Sequence, residues 1–319
     1  MRILYGIQLT GNGHITRSVS IIKELKKRGH QVDIITSGNK SDLEIPYDTK
    51  YHFDGISLYY DRVGRLNIWQ TIKKANIRKI YKDSKFDCSE YDLIISDFEP
   101  VTAWSSKRYN KKSIGIGNQY NTQNLSRFNR FIGKLLLKYF APTDKQIGID
   151  YIKSENTVLP IVDESLISKK TCDDDFYLIY LPSYSIEKIL SDFAFFPAVR
   201  YKIYSNEVAK DVIYKNISVL RPDRKKVSKD LLSCSGVVTA SGFSTTSEAL
   251  VLGKKLWSIP IKNHYEQEEN AKALKKLGIF TDDLSQNNTI KWIFEYQPVK
   301  YHWENPINDI IKIITENEN

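Results

Sequence analysis

The sequence predicts an α/β protein with two domains, each built on a parallel sheet, and three observations support this. Short runs of β-branched and aliphatic residues alternate with amphipathic helical segments. The chain has 319 residues, more than one hydrophobic core usually holds. A polar stretch at residues 162–175 separates two such alternating series. We therefore expect domains at residues 1–165 and 166–300, followed by a C-terminal helix within residues 301–319.

The element pattern is similar in both halves. Strands are predicted in the first half at residues 3–9, 31–36, 92–95 and 113–116, with a helix at residues 16–28. In the second half the predicted strands are residues 176–181, 201–204, 217–220, 235–240 and 255–259, and the predicted helices are residues 185–193 and 271–277. A last amphipathic helix is predicted at residues 305–315.

Composition indicates an ordinary globular chain, and we expect no cofactor. Hydrophobic residues make up 41% and charged residues 27% of the chain, as in ordinary globular proteins. No run of about 18 apolar residues and no secretory leader is recognisable, so we expect a cytoplasmic location. Three scattered cysteines lack metal-ligand spacing and predict no disulfide framework.

Positive charge is concentrated in the first half, where residues 1–160 hold 26 basic and 16 acidic residues, against 21 and 22 in the remainder. The segment RFNRFIGKLLLKYF at residues 127–140 forms a basic stripe made of Arg127, Arg130, Lys134 and Lys138. An amphipathic helix of this kind can lie on an anionic membrane, and would place the protein peripherally on the inner face. A core-facing helix with solvated lysines is the open alternative. No nucleic-acid-binding pattern is present.

An anion site is predicted in the segment SGFSTTSEAL, at residues 241–250. A β-branched strand leads to Gly242 and then to a helix, so Ser244 and Thr245 lie in the first helical turn. Unpaired backbone N–H groups and the helix dipole favour a diphosphate there. Glu248, one turn later, can accept hydrogen bonds from the two hydroxyls of a ribose. The turn at Ser183, after the first strand of the second half, is predicted to supply further N–H donors.

Two residues of the first half are candidates for proton abstraction. His14 follows the glycine-rich loop after the first strand, and an ordinary histidine pKa of about 6.5 suits a general base at neutral pH. Asp97 ends another strand of the same sheet and can either orient the imidazole or accept the proton itself. A histidine that only caps its own helix is the open alternative. Arg17, one turn after His14, can meet an acceptor phosphate.

These motifs together resemble those of a known enzyme class. GFSTTSEAL, GKKLWSIP and EQEENAKALKKLG are similar to the donor-binding half of GT-B glycosyltransferases, especially the MurG-like transferases and the UDP-glucuronosyltransferases. IQLTGNGHITRSVSIIKELKKRGHQVDIIT resembles their N-terminal loop and helix, and SDFEP resembles a motif of one of their branches. The first loop has fewer glycines than in MurG-like enzymes, so a polyprenyl-diphosphate acceptor does not follow.

The resemblance implies two Rossmann-like domains facing across a cleft, with the C-terminal helix within residues 301–319 packing back toward the first domain. It also implies inverting, metal-independent transfer of a sugar from a nucleotide-diphosphate donor. Such a donor is typically a UDP-sugar, and the acceptor is a hydroxyl of a lipid-linked or polysaccharide molecule. By analogy His14 is the base and Asp97 its partner, while Glu266 and Gln267 contact the donor sugar. Gly13, Arg17 and Glu99 fall on the acceptor side.

Three alternatives remain open from the sequence. Asp97 and Glu99 form a DxE that could hold Mn²⁺ or Mg²⁺ in a metal-dependent GT-A transferase. The GxG at Gly11 and Gly13 is a weak match to the NAD-binding fingerprint of an oxidoreductase, since the third glycine is missing. The fold could also serve as an inactive module that binds sugar nucleotides or glycans.

Overall fold

A computed structural model describes residues 1–9, 12–38, 44–54, 82–121, 138–262 and 264–316. The chain divides into two compact units. Among the described residues, unit 1 holds those up to Asp163 together with those from Glu304 onward, and unit 2 is Glu164–Trp303.

Unit 1 contains seven strands among its described residues, and all of them pair in parallel. Its elements up to Val158 are β1 (Arg2–Gln8), α1 (Asn12–Lys27), β2 (Gln31–Ser37), β3 (Thr49–Phe53), β4 (Leu93–Asp97), α2 (Pro100–Arg108), β5 (Ser113–Gly117), a 3₁₀ turn (Asn118–Tyr120), β6 (Lys145–Ile149) and β7 (Thr157–Val158). The strand order is β3-β2-β1-β4-β5-β6-β7. The order therefore reverses between β1 and β4, and ligands of open α/β sheets bind at the carboxyl ends of such a pair.

Unit 2 contains a six-stranded sheet in the described residues, and all but one of its pairs of neighbouring strands are parallel. Its elements are α3 (Glu164–Ile167), β8 (Tyr177–Tyr180), α4 (Ile186–Phe193), β9 (Tyr201–Tyr204), β10 (Val212–Tyr214), β11 (Ile217–Leu220), α5 (Arg224–Ser233), β12 (Gly236–Ala240), α6 (Phe243–Val251), β13 (Lys255–Ile259), α7 (Tyr265–Lys276), α8 (Gln286–Ile290) and a π-helical turn (Lys291–Glu295). The order β10-β11-β9-β8-β12-β13 reverses between β8 and β12. The antiparallel pair is β10 with β11.

The central strands of both sheets are buried on their two faces, which explains why these strands are continuous apolar runs. β4, β5 and β13 are buried at every residue, and β1 at every residue after Arg2. The core of unit 2 includes Trp257, Trp292 and Phe193, whose side chains are fully buried. These findings confirm the predicted fold class of two parallel-sheet α/β domains.

The last helix, α9 (Ile307–Thr315), belongs to unit 1. It packs on α1, where Arg28 donates a hydrogen bond to Asn308 at 2.7 Å. Ile310, Ile311 and Ile314 form its buried face. Lys153 pairs with Asp309 at 2.7 Å on the exposed side.

The structure changes several predicted boundaries. The helix predicted from residue 16 begins at Asn12, because packing of Ile15 and Ile21 against the sheet outweighs the cost of about 1 kcal/mol for a glycine in a helix. The sequence interpretation missed α2 and α5, together with β3, β6 and β10. Of the basic stripe only Lys138 falls within the described residues. None of the helices that the structure describes has the length and apolar character needed to cross a membrane.

Candidate functional site

His14, Arg17 and Asp97 meet in unit 1 at the point where its strand order reverses. Asp97 is the last residue of β4 and is fully buried, while His14 and Arg17 lie in the first two turns of α1 and are 8% and 6% exposed. His14 Nδ1 is 2.7 Å from Asp97 Oδ1, and Arg17 Nε donates to Asp97 Oδ2 at 2.7 Å. Arg17 Nη2 donates to Asp97 Oδ1, and Ser18 Oγ donates to Oδ2 at 2.8 Å.

The tautomer of His14 follows from these partners. Nδ1 lies 2.7 Å from both Asp97 Oδ1 and Arg17 Nη2. If Nδ1 accepted from Arg17, its lone pair would face the negative oxygen of Asp97 at hydrogen-bond distance. If Nδ1 carries the proton, it donates to that oxygen, which attracts both donors. The second arrangement is electrostatically favoured, and it leaves the Nε2 lone pair for an incoming proton.

Asp97 is held as a carboxylate. Burial alone would raise the pKa of Asp97, but the charge of Arg17 and the hydrogen bonds from Arg17 and His14 hold that pKa below its usual value. An ionised carboxylate of this kind both orients an imidazole and stabilises the imidazolium formed when the ring takes a proton.

We expect Asp97→Asn to destabilise the protein by about 3 kcal/mol at neutral pH, because Arg17 would remain buried without its counter-charge. The pKa of Asp97 is lowered in the folded state. Its contribution to the free energy of unfolding is therefore complete above the unfolded-state pKa of about 3.9, and it is lost as the pH falls through the folded-state pKa. Urea denaturation at several pH values measures the free energy of unfolding of both proteins. The difference between variant and wild type should shrink below about pH 4. Asp48→Asn, at an exposed site, is the control. A difference in the free energy of unfolding that is as large at low pH as at pH 7 would contradict the assignment of Asp97 as an ionised partner of Arg17.

Glu99, predicted on the acceptor side, caps a helix of unit 1. It is fully buried as the N-cap of α2 and accepts from the backbone N–H groups of Val101 at 2.7 Å and Thr102 at 2.6 Å. The hydroxyls of Ser37 and Thr102 also donate to it, at 2.5 and 2.6 Å. Burial raises the pKa of Glu99, and these hydrogen bonds only partly offset the effect. Glu99 therefore caps a helix, and its role on the acceptor side stays a prediction.

Arg17, also predicted on the acceptor side, contacts other residues of unit 1. Its guanidinium is engaged with Asp97 along one edge and donates weakly to Asn118 at 3.4 Å. Its charge is balanced by the buried carboxylate of Asp97, so Arg17 supports the His14 and Asp97 pair. A contact between Arg17 and an acceptor phosphate stays a prediction. Gly13, also predicted on the acceptor side, lies beside His14 in the first turn of α1.

In unit 2 the helix start at Gly242 differs from its neighbours. Side chains cap the N-termini of α4, α5, α7 and α8, whereas no side chain caps α6. Thr246 and Ser247 turn their hydroxyls back onto carbonyls of the helix start, at 2.8 and 2.6 Å. Gly242, Ser244 and Thr245 are half-buried, at the carboxyl end of β12 beside the point where the strand order reverses. The geometry suits an anion bound by backbone N–H groups.

The loop after β13 comes to the same sheet edge. Asn270 donates to the carbonyl of Ser241 at 2.9 Å, and Ser241 shares a hydrogen bond with Ser258 at 2.8 Å. Gln267 Oε1 accepts from the backbone of Ile261 at 3.1 Å, so this amide also holds the loop. Glu266, next to Gln267 in the first turn of α7, is half-buried.

Glu248 lies in the second turn of α6 with only 5% of its side chain exposed. Its carboxylate pairs with Arg224, the first residue of α5, at 2.5 Å and 3.4 Å. The sequence interpretation missed Arg224 because α5 itself was not predicted.

Ser183, predicted to supply N–H donors, lies in the turn before α4. The helix begins later, at Ile186, and its N-cap is Ser185, whose hydroxyl accepts from Lys188 N. The N–H of Ile186 donates to the Glu207 carboxylate at 3.0 Å. The N–H of Ile186 therefore has a partner within the chain, and donation from the Ser183 turn to a diphosphate stays a prediction.

The two α/β units, with polar residues at the point where each strand order reverses, define the fold of a GT-B glycosyltransferase. Two solved structures share this fold across the chain. One is MnaA of S. aureus with UDP (10% identity, 100% of this chain and 97% of that chain, TM-score 0.64). The other is MurG of Acinetobacter baumannii, which is 12% identical. The match covers 99% of this chain and 100% of that chain, with a TM-score of 0.56.

The family follows from the sequence itself. Residues 1–295 match the model described as glycosyl transferase family 1, and the chain belongs to this family. An uncharacterized glycosyltransferase of Methanosarcina mazei is 26% identical over 328 residues, covering 87% of this chain and 84% of that protein. The protein is therefore a glycosyltransferase of the GT-B type. This excludes the alternatives of a GT-A transferase and an NAD-dependent oxidoreductase.

Some partners of the site residues escaped the sequence interpretation. Ser18, which supports Asp97, lies four residues after His14 on the same helix face, and helical periodicity could have identified it. Ser37 and Glu207 come from distant elements and reach their partners only through the tertiary fold.

Proposed function

We propose that the protein transfers a sugar from a nucleotide diphosphate, best represented by UDP, to a hydroxyl group with inversion and without a metal ion. The observation that carries this proposal is the start of α6, where the helix lacks a side-chain cap at the carboxyl end of β12. Backbone N–H groups there suit the diphosphate, and UDP is the ligand in the MnaA structure of the same fold.

In the proposed reaction His14 Nε2 removes the proton from the acceptor hydroxyl as its oxygen attacks the anomeric carbon of the donor. The bond between that carbon and the diphosphate oxygen breaks, and the leaving diphosphate keeps the electron pair. Backbone N–H groups at Gly242–Thr245 balance the charge that grows on it. Asp97 stabilises the resulting imidazolium.

Neutralisation by helix N–H groups is the reason for proposing a metal-independent reaction. In unit 1 the carboxylate that a metal ion would need, that of Asp97, is already bound to Arg17, Ser18 and His14. No group of three or more potential ligands suited to a metal ion occurs in the part of the chain that the structure describes. Glu248 is proposed to accept from the ribose hydroxyls, and Glu266 and Gln267 to contact the donor sugar.

UDP should raise the melting temperature by about 5 °C at a concentration about 100-fold above its Kd, because it binds only the folded state. The shift should persist in EDTA and exceed those given by GDP, TDP or CMP. Glu248→Ala should weaken UDP binding about 10- to 100-fold, since hydrogen bonds to a charged group are lost. Glu295→Ala, at an exposed position, is the matched control. An unchanged UDP shift in Glu248→Ala would remove the ribose assignment.

We further propose that the acceptor is lipid-linked or a polysaccharide, reached from a membrane surface through Arg127, Arg130, Lys134 and Lys138. Three of these four residues lie outside the described residues, so the proposal rests on the sequence pattern. Binding to anionic vesicles should fall with salt and after charge reversal at the four positions, because surface electrostatics are screened. Vesicle binding that ignores both changes would contradict it.

A further inference from the structure

The 3₁₀ turn that follows β5 carries side-chain amides that no functional assignment uses. Gln119 Oε1 and Asn121 Oδ1 are buried and accept no hydrogen bond from the residues that the structure describes. Asn121 Nδ2 donates to Asp150 Oδ2 at 2.6 Å, and Asp150 Oδ1 accepts from the backbone of Tyr151 at 2.7 Å. The orientation of the Asn121 amide is thereby fixed. Buried acceptors that stay unpaired are costly, so such groups indicate a ligand.

These amides lie beside the proposed base. β5 neighbours β4 in the sheet, so the turn after Gly117 is next to Asp97. A Cβ on Gly117 would lie 2.7 Å from Gln119 Oε1 and 3.3 Å from Arg17 Nη2, which shows that both side chains pack against the strand end. Arg17 Nη1 also reaches Asn118 in the turn, at 3.4 Å.

An aromatic group adjoins the amides. Phe98, the residue after Asp97, is half-buried, and its ring stacks on Phe140 at 4.7 Å and meets Tyr120 edge-on at 6.2 Å between ring centroids. Its backbone has φ of 50°, a conformation that a bulky residue adopts only where its surroundings impose it. Asp97 and Glu99, both fully hydrogen-bonded, flank it and hold it there. Backbone outliers of this kind cluster at functional sites.

We propose that Gln119, Asn121 and the ring of Phe98 form an acceptor subsite for a sugar. The inference deepens the proposed function, on which it rests, by naming the class of acceptor. Hydroxyls of the sugar donate to the two amide oxygens, and the apolar face of the sugar ring packs on Phe98. Sites that combine aromatic walls with a few placed polar groups are typical of small-ligand recognition.

Charge selects a neutral ligand over an anion at this subsite. The guanidinium of Arg17 is balanced by Asp97, and the Asp150 carboxylate stands directly behind Asn121. A phosphate or carboxylate would meet amide oxygens and a negative charge, whereas hydroxyl groups supply the donors that these acceptors need. The terminal sugar of a lipid-linked saccharide and that of a polysaccharide share this chemistry.

The test measures binding of p-nitrophenyl glycosides of the common hexoses and N-acetylhexosamines to the full chain by calorimetry. Gln119→Met keeps the length of the side chain and removes its hydrogen bonds, and we expect the Kd to rise about three- to tenfold. Gln146→Met makes the same change at an exposed position of β6 and should leave the Kd unchanged. Phe98→Leu should also weaken binding, and circular dichroism confirms that each variant is folded.

Three outcomes would overturn the proposal: wild-type protein that binds no glycoside, equal affinities for Gln119→Met and Gln146→Met, or displacement of the glycoside by inorganic phosphate. The UDP melting shift is measured on the same variants and should be unchanged, because it depends on unit 2. A wild-type protein without the UDP melting shift would count against the proposed function. A wild-type protein that shows the UDP shift but binds no glycoside would count against the subsite. Tighter binding of octyl than of methyl glycosides would identify a lipid-linked acceptor, and equal binding a polysaccharide end.

Discussion

Replacing His14 with alanine is expected to lower kcat by about 10³- to 10⁴-fold, the upper part of the range for loss of a general base. His14 Nδ1 lies 2.7 Å from the oxygen of a buried, ionised Asp97, which fixes the ring and leaves Nε2 to take the proton. The affinity for UDP should stay within about twofold of wild type, since the proposed donor contacts belong to unit 2. Initial rates with saturating donor, together with the UDP melting shift, measure both quantities.

The matched control for His14→Ala is His302→Ala, at an exposed histidine in the segment that precedes α9. Histidine-nitrogen NMR supplies an independent readout, because a proton on Nδ1 is required if Nε2 is the base. A His14→Ala enzyme with normal turnover would move the base to another residue. A neutral His14 protonated on Nε2 would show that the ring accepts from Arg17, and the proposed role would then fail.

Introducing a carboxylate at the start of α6, as Gly242→Asp, is expected to weaken UDP binding by about 10³-fold while the fold remains stable. Gly242 has φ of −71° and ψ of 134°, ordinary for an N-cap, and a Cβ built there meets no atom within 4 Å. An aspartate at this position accepts from the N–H groups of the first turn, as capping residues do. It would occupy the donors assigned to the diphosphate and repel its negative charge.

Gly242→Ala separates the effect of the carboxylate from the loss of glycine. Alanine adds a methyl group in open space and leaves the N–H groups available, so most of the UDP affinity should be retained. Calorimetric titration with UDP gives the affinities, and thermal unfolding gives the stability, which aspartate should change by only a few tenths of a kcal/mol. If Gly242→Asp bound UDP as well as the wild type, the diphosphate would have to bind elsewhere.

The fold class could be predicted because hydrophobic periodicity is a local property of the chain. Buried parallel strands must be apolar at successive positions, and β1, β4 and β13 stand out in the sequence for that reason. The glycine before α6 and the histidine after β1 were likewise visible as breaks between a strand and a helix. Local patterns therefore located both candidate regions to within a few residues.

What each polar group does was decided by partners far away in sequence. Glu99 resembled a ligand, yet it caps α2 and accepts from Ser37, which lies 62 residues away. Arg17 resembled a phosphate contact, yet its charge is balanced by Asp97, 80 positions along the chain. The sequence determined the order of strands and helices because hydrophobic patterning acts over a few residues. Only the tertiary structure decided which carboxylates and amides remain available, because hydrogen bonds and ion pairs depend on atoms that the fold brings within about 3 Å.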